Sequence, residues 1–65
     1  MRLEVNGTAR EVAAETLDAL LVEIGVDLAS VATALDGEFV PRGQRAATPL
    51  TDGARVEIVA PMQGG

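Results

Sequence analysis

The chain opens on an alternation. Met1, Leu3 and Val5 are apolar while Arg2 and Glu4 are charged, so an extended backbone separates the two sets onto opposite faces. Asn6-Gly7 follows, a pair suited to a type I′ turn, where both central residues need positive φ. The pattern predicts a hairpin that returns through Thr8 to Val12. A two-residue turn sets Val5 opposite Thr8, Leu3 opposite Arg10 and Met1 opposite Val12. Arg10 then falls on the apolar face. Either its stem covers the edge of the core with the guanidinium in water, or the turn is longer and the parity shifts.

After a short Ala13-Ala14-Glu15 connection the period lengthens. Leu17, Leu20, Leu21 and Ile24 stand at i, i+3, i+4 and i+7, a single helical stripe. Thr16 is placed to cap the N-terminus, Asp18 faces the positive end of the helix, and Gly25 is placed to stop it in a left-handed conformation. A helix of about nine residues is too short to stand alone in water. It must therefore pack on a sheet. Its solvent face carries Asp18 and Glu23 rather than basic residues, which argues against a membrane-surface helix.

Val26 to Ser30 reads as a connection, with Asp27 placed to cap a single turn. Val31 to Leu35 reads as a strand, Asp36-Gly37 as a second hairpin turn, and Glu38-Phe39-Val40 as the return. Pro41 ends that strand or marks it as an edge. Arg42 to Thr51 is irregular and predicts a turn of helix and a surface loop. Asp52-Gly53 turns the chain into a last strand, Arg55 to Ala60, in which Val56, Ile58 and Ala60 alternate with Arg55, Glu57 and Val59. The order is β-β-α-β-β-β. A helix bridging two hairpin halves requires a crossover, which makes the first and last strands parallel and central. The expectation is an α+β domain over 1–60, a mixed sheet of four to five strands crossed by one main helix, in the β-grasp or ubiquitin-like arrangement.

Composition narrows the chemistry. Sixty-five residues make one domain, with 48% hydrophobic residues and a single aromatic, Phe39, so aliphatic side chains must fill the core. The chain has no cysteine and no histidine, which removes disulfides, thiol nucleophiles, the usual zinc sites and histidine-based triads. A net charge of −5, with five scattered arginines and no lysine, argues against nucleic acid. No run is long and apolar enough for a membrane span and no signal peptide opens the chain, so a cytoplasmic protein is expected. The ten acidic residues suggest no convergent, buried carboxylate pair: Asp18 and Glu23 lie on the helix surface, Glu4 and Glu57 alternate outward, and Asp36 and Asp52 serve turns. The inventory points away from an enzyme.

What remains is the ending, Pro61-Met62-Gln63-Gly64-Gly65. Pro61 cannot extend the strand before it, and the two glycines carry no side chain to pack. The expectation for 61–65 is a flexible tail that reaches roughly 16–18 Å when extended and carries the C-terminal carboxylate of Gly65. Such a carboxylate becomes reactive once adenylation turns one oxygen into a leaving group. Attack by sulfur then gives a thiocarboxylate, ionised at neutral pH where most free cysteine thiols are not.

The stretch Leu50 to Gly65, with its Asp52-Gly53 turn and Gly64-Gly65 end, resembles the ThiS family, the sulfur carriers of thiamin biosynthesis. Asp36-Gly37-Glu38-Phe39-Val40-Pro41-Arg42 resembles the family's central segment, and Val5-Asn6-Gly7 its first hairpin. Arg45, Asp36 and Ala54 depart from the family's pattern, where an aromatic, an Asn and a second acid are common. The resemblance implies that Gly65 is adenylated by a ThiF-type activating enzyme, which uses ATP and magnesium that this chain does not bind. It implies a cysteine desulfurase as sulfur source and thiazole synthase (ThiG) as acceptor. Gly64, Gln63, Met62, Pro61 and Val59 are the expected partner contacts; for Val59 and Met62 the alternative is a scattered surface hydrophobe. Three other functions fit a Gly-Gly ending: the small subunit of molybdopterin synthase, a ubiquitin-like modifier joined to lysines, and an interaction module with an incidental tail.

Overall fold

A computed structural model describes residues 1–60. Its strands are β1 (Arg2–Val5), β2 (Thr8–Glu11), β3 (Ala32–Leu35), β4 (Glu38–Val40) and β5 (Arg55–Val59), with one helix, α1 (Leu17–Ile24), between the first two hairpins. The five strands form one mixed sheet in the order β2-β1-β5-β3-β4. β1 runs parallel to β5, and the other pairings are antiparallel. The expected parallel, central pair of first and last strands is therefore present, and the fold is a β-grasp.

Turn chemistry sets the register. Asn6 and Gly7 have φ of 49° and 83°, Asp36 and Gly37 of 50° and 86°, the positive values a tight hairpin demands. Val5 pairs with Thr8 and Leu3 with Arg10, so the first turn is two residues long and Arg10 does belong to the core-side parity. Its side chain is nevertheless exposed. Of the two arrangements open for Arg10, the structure selects the one with its guanidinium in water.

Helix α1 is built as its sequence predicts. The Thr16 hydroxyl accepts from the Ala19 N–H, and Gly25, at φ 89°, donates to the Val22 carbonyl while Val26 donates to that of Leu21. Leu17, Leu20 and Leu21 are fully buried, and Leu17 and Leu20 share one core cluster with Leu3, Val5 and Val56 of the sheet. At about 1.5–3 kcal/mol per buried aliphatic side chain, this seam supplies most of the helix's stability.

Two elements do more than their sequence pattern predicts. Glu23 is exposed on the solvent face of the helix, as expected, and from there its carboxylate accepts from the Ala13 N–H at 3.1 Å and the Ala14 N–H at 2.9 Å, which ties the β2–α1 connection to the helix. The segment from Arg42 to Thr51 contains the expected turn of helix but is not confined to the surface. It holds a 3₁₀ helix, Arg42–Ala47, and sends Arg45 and Leu50 inside, each 5% exposed or less. Among the described residues Arg45 has no ion-pair partner. Its Nε donates to the Thr33 hydroxyl at 3.2 Å, Nη1 to the Leu28 carbonyl at 2.9 Å, and Nη2 to the Val31 carbonyl at 2.6 Å. The Thr33 hydroxyl in turn donates to the Val40 carbonyl at 3.0 Å. One buried cation thus pins the loop after α1 to β3 and to the 3₁₀ helix.

Pro41 follows β4 at the sheet's edge, which satisfies both roles foreseen for it. Asp27 does cap its turn, accepting from the Ala29 N–H and the Ser30 hydroxyl. These bonds, the Ser30 one foremost, hold its carboxyl below the ordinary aspartate range.

Candidate functional site

The residues expected to react or to enter a partner, Pro61, Met62, Gln63, Gly64 and Gly65, lie outside the described residues. The structure does define the ground from which they start. β5 occupies the centre of the sheet, so its last residues are held from both sides. On one side Val59 pairs with Ala32 of β3. On the other, β1 turns away at Asn6, and the Asn6 side chain takes over the ladder. Its Nδ2 donates to the Ile58 carbonyl at 3.0 Å and its Oδ1 accepts from the Ile58 N–H at 2.8 Å. The Asn6 backbone N–H meanwhile donates to the Val56 carbonyl at 2.9 Å. One residue both makes the turn and clamps the end of β5.

The two roles can be separated. Asn6→Gly keeps the positive φ and loses only the amide, so it should destabilise by about 1–2 kcal/mol; Asn6→Ala adds left-handed strain and should exceed it by about 1 kcal/mol. Hydrogen exchange at the Ile58 amide should accelerate in both. Unchanged protection of that amide in Asn6→Gly would show that the clamp contributes nothing.

Val59 points to the open face of the sheet, as its parity in the sequence predicts, and is 61% exposed. Its neighbours there are Ala32, paired with it, and Ala34, which pairs with both Glu57 and Phe39. Phe39 itself is 69% exposed. The chain's one aromatic ring therefore stands in water, two alanines away from Val59. An apolar patch with small residues between two large ones is flat and easily covered. Phe39 was not among the expected contact residues. The signal was present: Phe39 and Val40 are adjacent in a strand, so only one can face the core, and Val40 is the buried one.

The acidic groups keep to structural roles. Asp52 Oδ1 accepts from the Arg2 N–H at 2.7 Å and Asp36 Oδ1 from the Arg55 N–H at 2.9 Å. Among the described residues no three potential ligands gather in a way that would hold a metal ion, and no helix is long and apolar enough to cross a membrane.

A β-grasp domain whose central strand leads into a Gly-Gly ending, beside an apolar patch on the open face, defines a ubiquitin-like carrier or modifier. Comparison with known proteins narrows that class: the ThiS family model matches residues 3–65, and the chain belongs to the ThiS family. It is 43% identical over 61 residues to the sulfur carrier protein ThiS of Thermus thermophilus, a match that covers 94% of this chain and 95% of that protein. It is 42% identical over 66 residues to a thiazole synthase of Paramagnetospirillum magneticum, spanning all of this chain but only 20% of the relative. Among solved structures, the crystal structure of the thiamine biosynthesis protein ThiS from Geobacter metallireducens superposes with a TM-score of 0.85 at 35% identity, with both chains fully covered. The solution structure described as a thiamine biosynthesis protein from the same organism gives 0.81, with all of this chain and 88% of that one covered. The chain is thus a sulfur carrier of thiamine biosynthesis.

Proposed function

We propose that the chain carries sulfur as a thiocarboxylate on Gly65. A carboxylate oxygen attacks the α-phosphorus of ATP and pyrophosphate leaves. The terminal sulfur of a persulfide then attacks the acyl carbon and AMP leaves, which gives an acyl disulfide; a thiol attacks the inner sulfur, the S–S bond breaks, and the thiocarboxylate is released as a disulfide forms on the donor side. ATP and magnesium belong to a ThiF-type activating enzyme, and a cysteine desulfurase supplies the sulfur. Thiazole synthase takes the sulfur from the carrier. The relative from P. magneticum supports that last partner, because a segment like this one forms a fifth of a protein named thiazole synthase.

The observation that carries this reading is the anchoring of β5. The strand that leads to the Gly-Gly ending is central, paired on both sides and clamped at Ile58 by Asn6. The compact domain acts as a handle while Pro61, Met62, Gln63 and Gly64 enter the partner's active site. The patch of Val59 and Phe39 is the surface on which that partner rests. Neither glycine has a side chain to obstruct nucleotide or nucleophile.

Incubation with the activating enzyme, ATP and a sulfur source should add to the intact protein the mass difference between one sulfur and one oxygen, localised to Gly65. An unchanged mass, under conditions where the enzyme modifies its own carrier, would defeat the proposal.

A further inference from the structure

Two hairpin turns of this fold share a backbone conformation but differ in side chain. Asn6 has φ 49° and Asp36 φ 50°, and both reach across to β5. Asp36 makes one bond at the start of that strand, accepting from the Arg55 N–H. Asn6 makes two near its end, accepting from the Ile58 N–H and donating to the Ile58 carbonyl. Aspartate would serve the first turn equally well, as position 36 shows, and would still accept from Ile58. Only an amide can also donate. The demands of the turn therefore leave the asparagine at position 6 unexplained.

The extra bond holds a part of β5 that the core has begun to release. β1 pairs with β5 only as far as Val5 and Val56, whereas β3 continues to Val59. Val56 is fully buried, Ile58 half-buried and Val59 exposed. The N–H and carbonyl of Ile58 both face the side that β1 has left, so β3 cannot satisfy them, and the Asn6 amide stands in for a strand. A rung at this height adds little to core burial. Two residues beyond it comes Ala60, and then the segment that ends in Gly65.

We infer, on the sulfur-carrier reading, that Asn6 is a positioning residue for the chemistry at Gly65. It acts through Ile58. With the end of β5 held on both sides, the chain leaves the domain in one direction, and a body seated on its partner delivers the carboxylate to the α-phosphorus of ATP. Without the donor, that end is held firmly on one side only. Order that the free domain had already supplied must then be gained after docking. Ordering one residue of backbone is worth about tenfold in population, and the seat of the body is unchanged, so the loss falls on turnover and not on affinity.

The test is ATP–pyrophosphate exchange by a ThiF-type activating enzyme from the same organism, with the carrier as varied substrate. Asn6→Asp and Asn6→Gly should each lower kcat about tenfold while KM for the carrier stays within about twofold. Thr16→Ala is the control. It removes the cap at the start of α1, whereas Ile24, at the far end, is the helix residue that nears Ile58. It should cost similar stability and leave both constants unchanged. Asn6→Asp keeps a turn that Asp36 shows to be viable, so it carries the test even where Asn6→Gly melts below the assay temperature.

An unchanged kcat in Asn6→Asp would overturn the inference, as would a rise in KM with kcat intact, the mark of a direct contact with the enzyme. A loss in Asn6→Asp beside a fully active, folded Asn6→Gly would trace to the new charge instead of the missing donor, and would overturn it as well. Equal losses in Thr16→Ala would do the same, because they would trace to stability. Absence of exchange with the unaltered chain would bring down the sulfur-carrier reading itself.

Discussion

Deleting Gly65 should abolish sulfur transfer while leaving the fold untouched. The variant still ends in a glycine carboxylate, so loss of activity would come from position alone. One residue fewer retracts the reacting carbon by about 3.5 Å along an extended tail. Misplacement of a reacting group by 1 Å can cost about a hundredfold in rate, so both adenylation and transfer should fall by more than that. Gly65→Ala separates reach from bulk: it keeps the length and adds one methyl group where the nucleotide and the sulfur nucleophile must approach. Thiocarboxylate formation by the deletion variant at the normal rate would show that the domain body, and not the acyl terminus, is what the activating enzyme measures.

The largest effect on stability should come from Arg45→Met. Two opposing terms decide its sign. Burial of a guanidinium without a carboxylate is unfavourable by several kcal/mol. Against that stand three charge-assisted hydrogen bonds, each worth about 1.5–3 kcal/mol, to acceptors that methionine leaves without a donor. The hydrogen bonds win, because methionine removes the charge but still strands the Leu28 and Val31 carbonyls. We expect Arg45→Met to lower stability by about 2–4 kcal/mol, a large share of the total for a small domain. Urea unfolding would show it as a lower midpoint. A midpoint equal to or above that of the unaltered chain would mean that desolvation of the cation dominates.

The elements visible in the sequence are those governed by neighbours in the chain. Asn6-Gly7 and Asp36-Gly37 announce their turns because positive φ is a local demand, and the Leu17-to-Ile24 stripe announces a helix because its period is local. Thr16 and Gly25 mark its ends for the same reason. What stayed hidden depends on groups brought together from afar. The Asn6 amide meets Ile58 across 52 residues, and nothing in the first hairpin signals a second use for its side chain. Arg45 turns inward because the loop after α1 aims two carbonyls at it, an arrangement that no pattern within Arg42–Ala47 encodes. The reactive end was legible as chemistry, in Gly64 and Gly65. The patch beside it required knowing which face of β4 the sheet leaves bare.

The central place of β5 also has a mechanical side. Traction on the tail, as when a spent carrier is drawn out of a partner, acts along the strand axis. The hydrogen bonds to β1 and β3 lie across that axis, so they resist together in shear instead of parting one by one, and Asn6 adds two more at the loaded end. A strand at the sheet's edge would offer only one such row and could peel away. The carrier can therefore be extracted by its tether without coming undone.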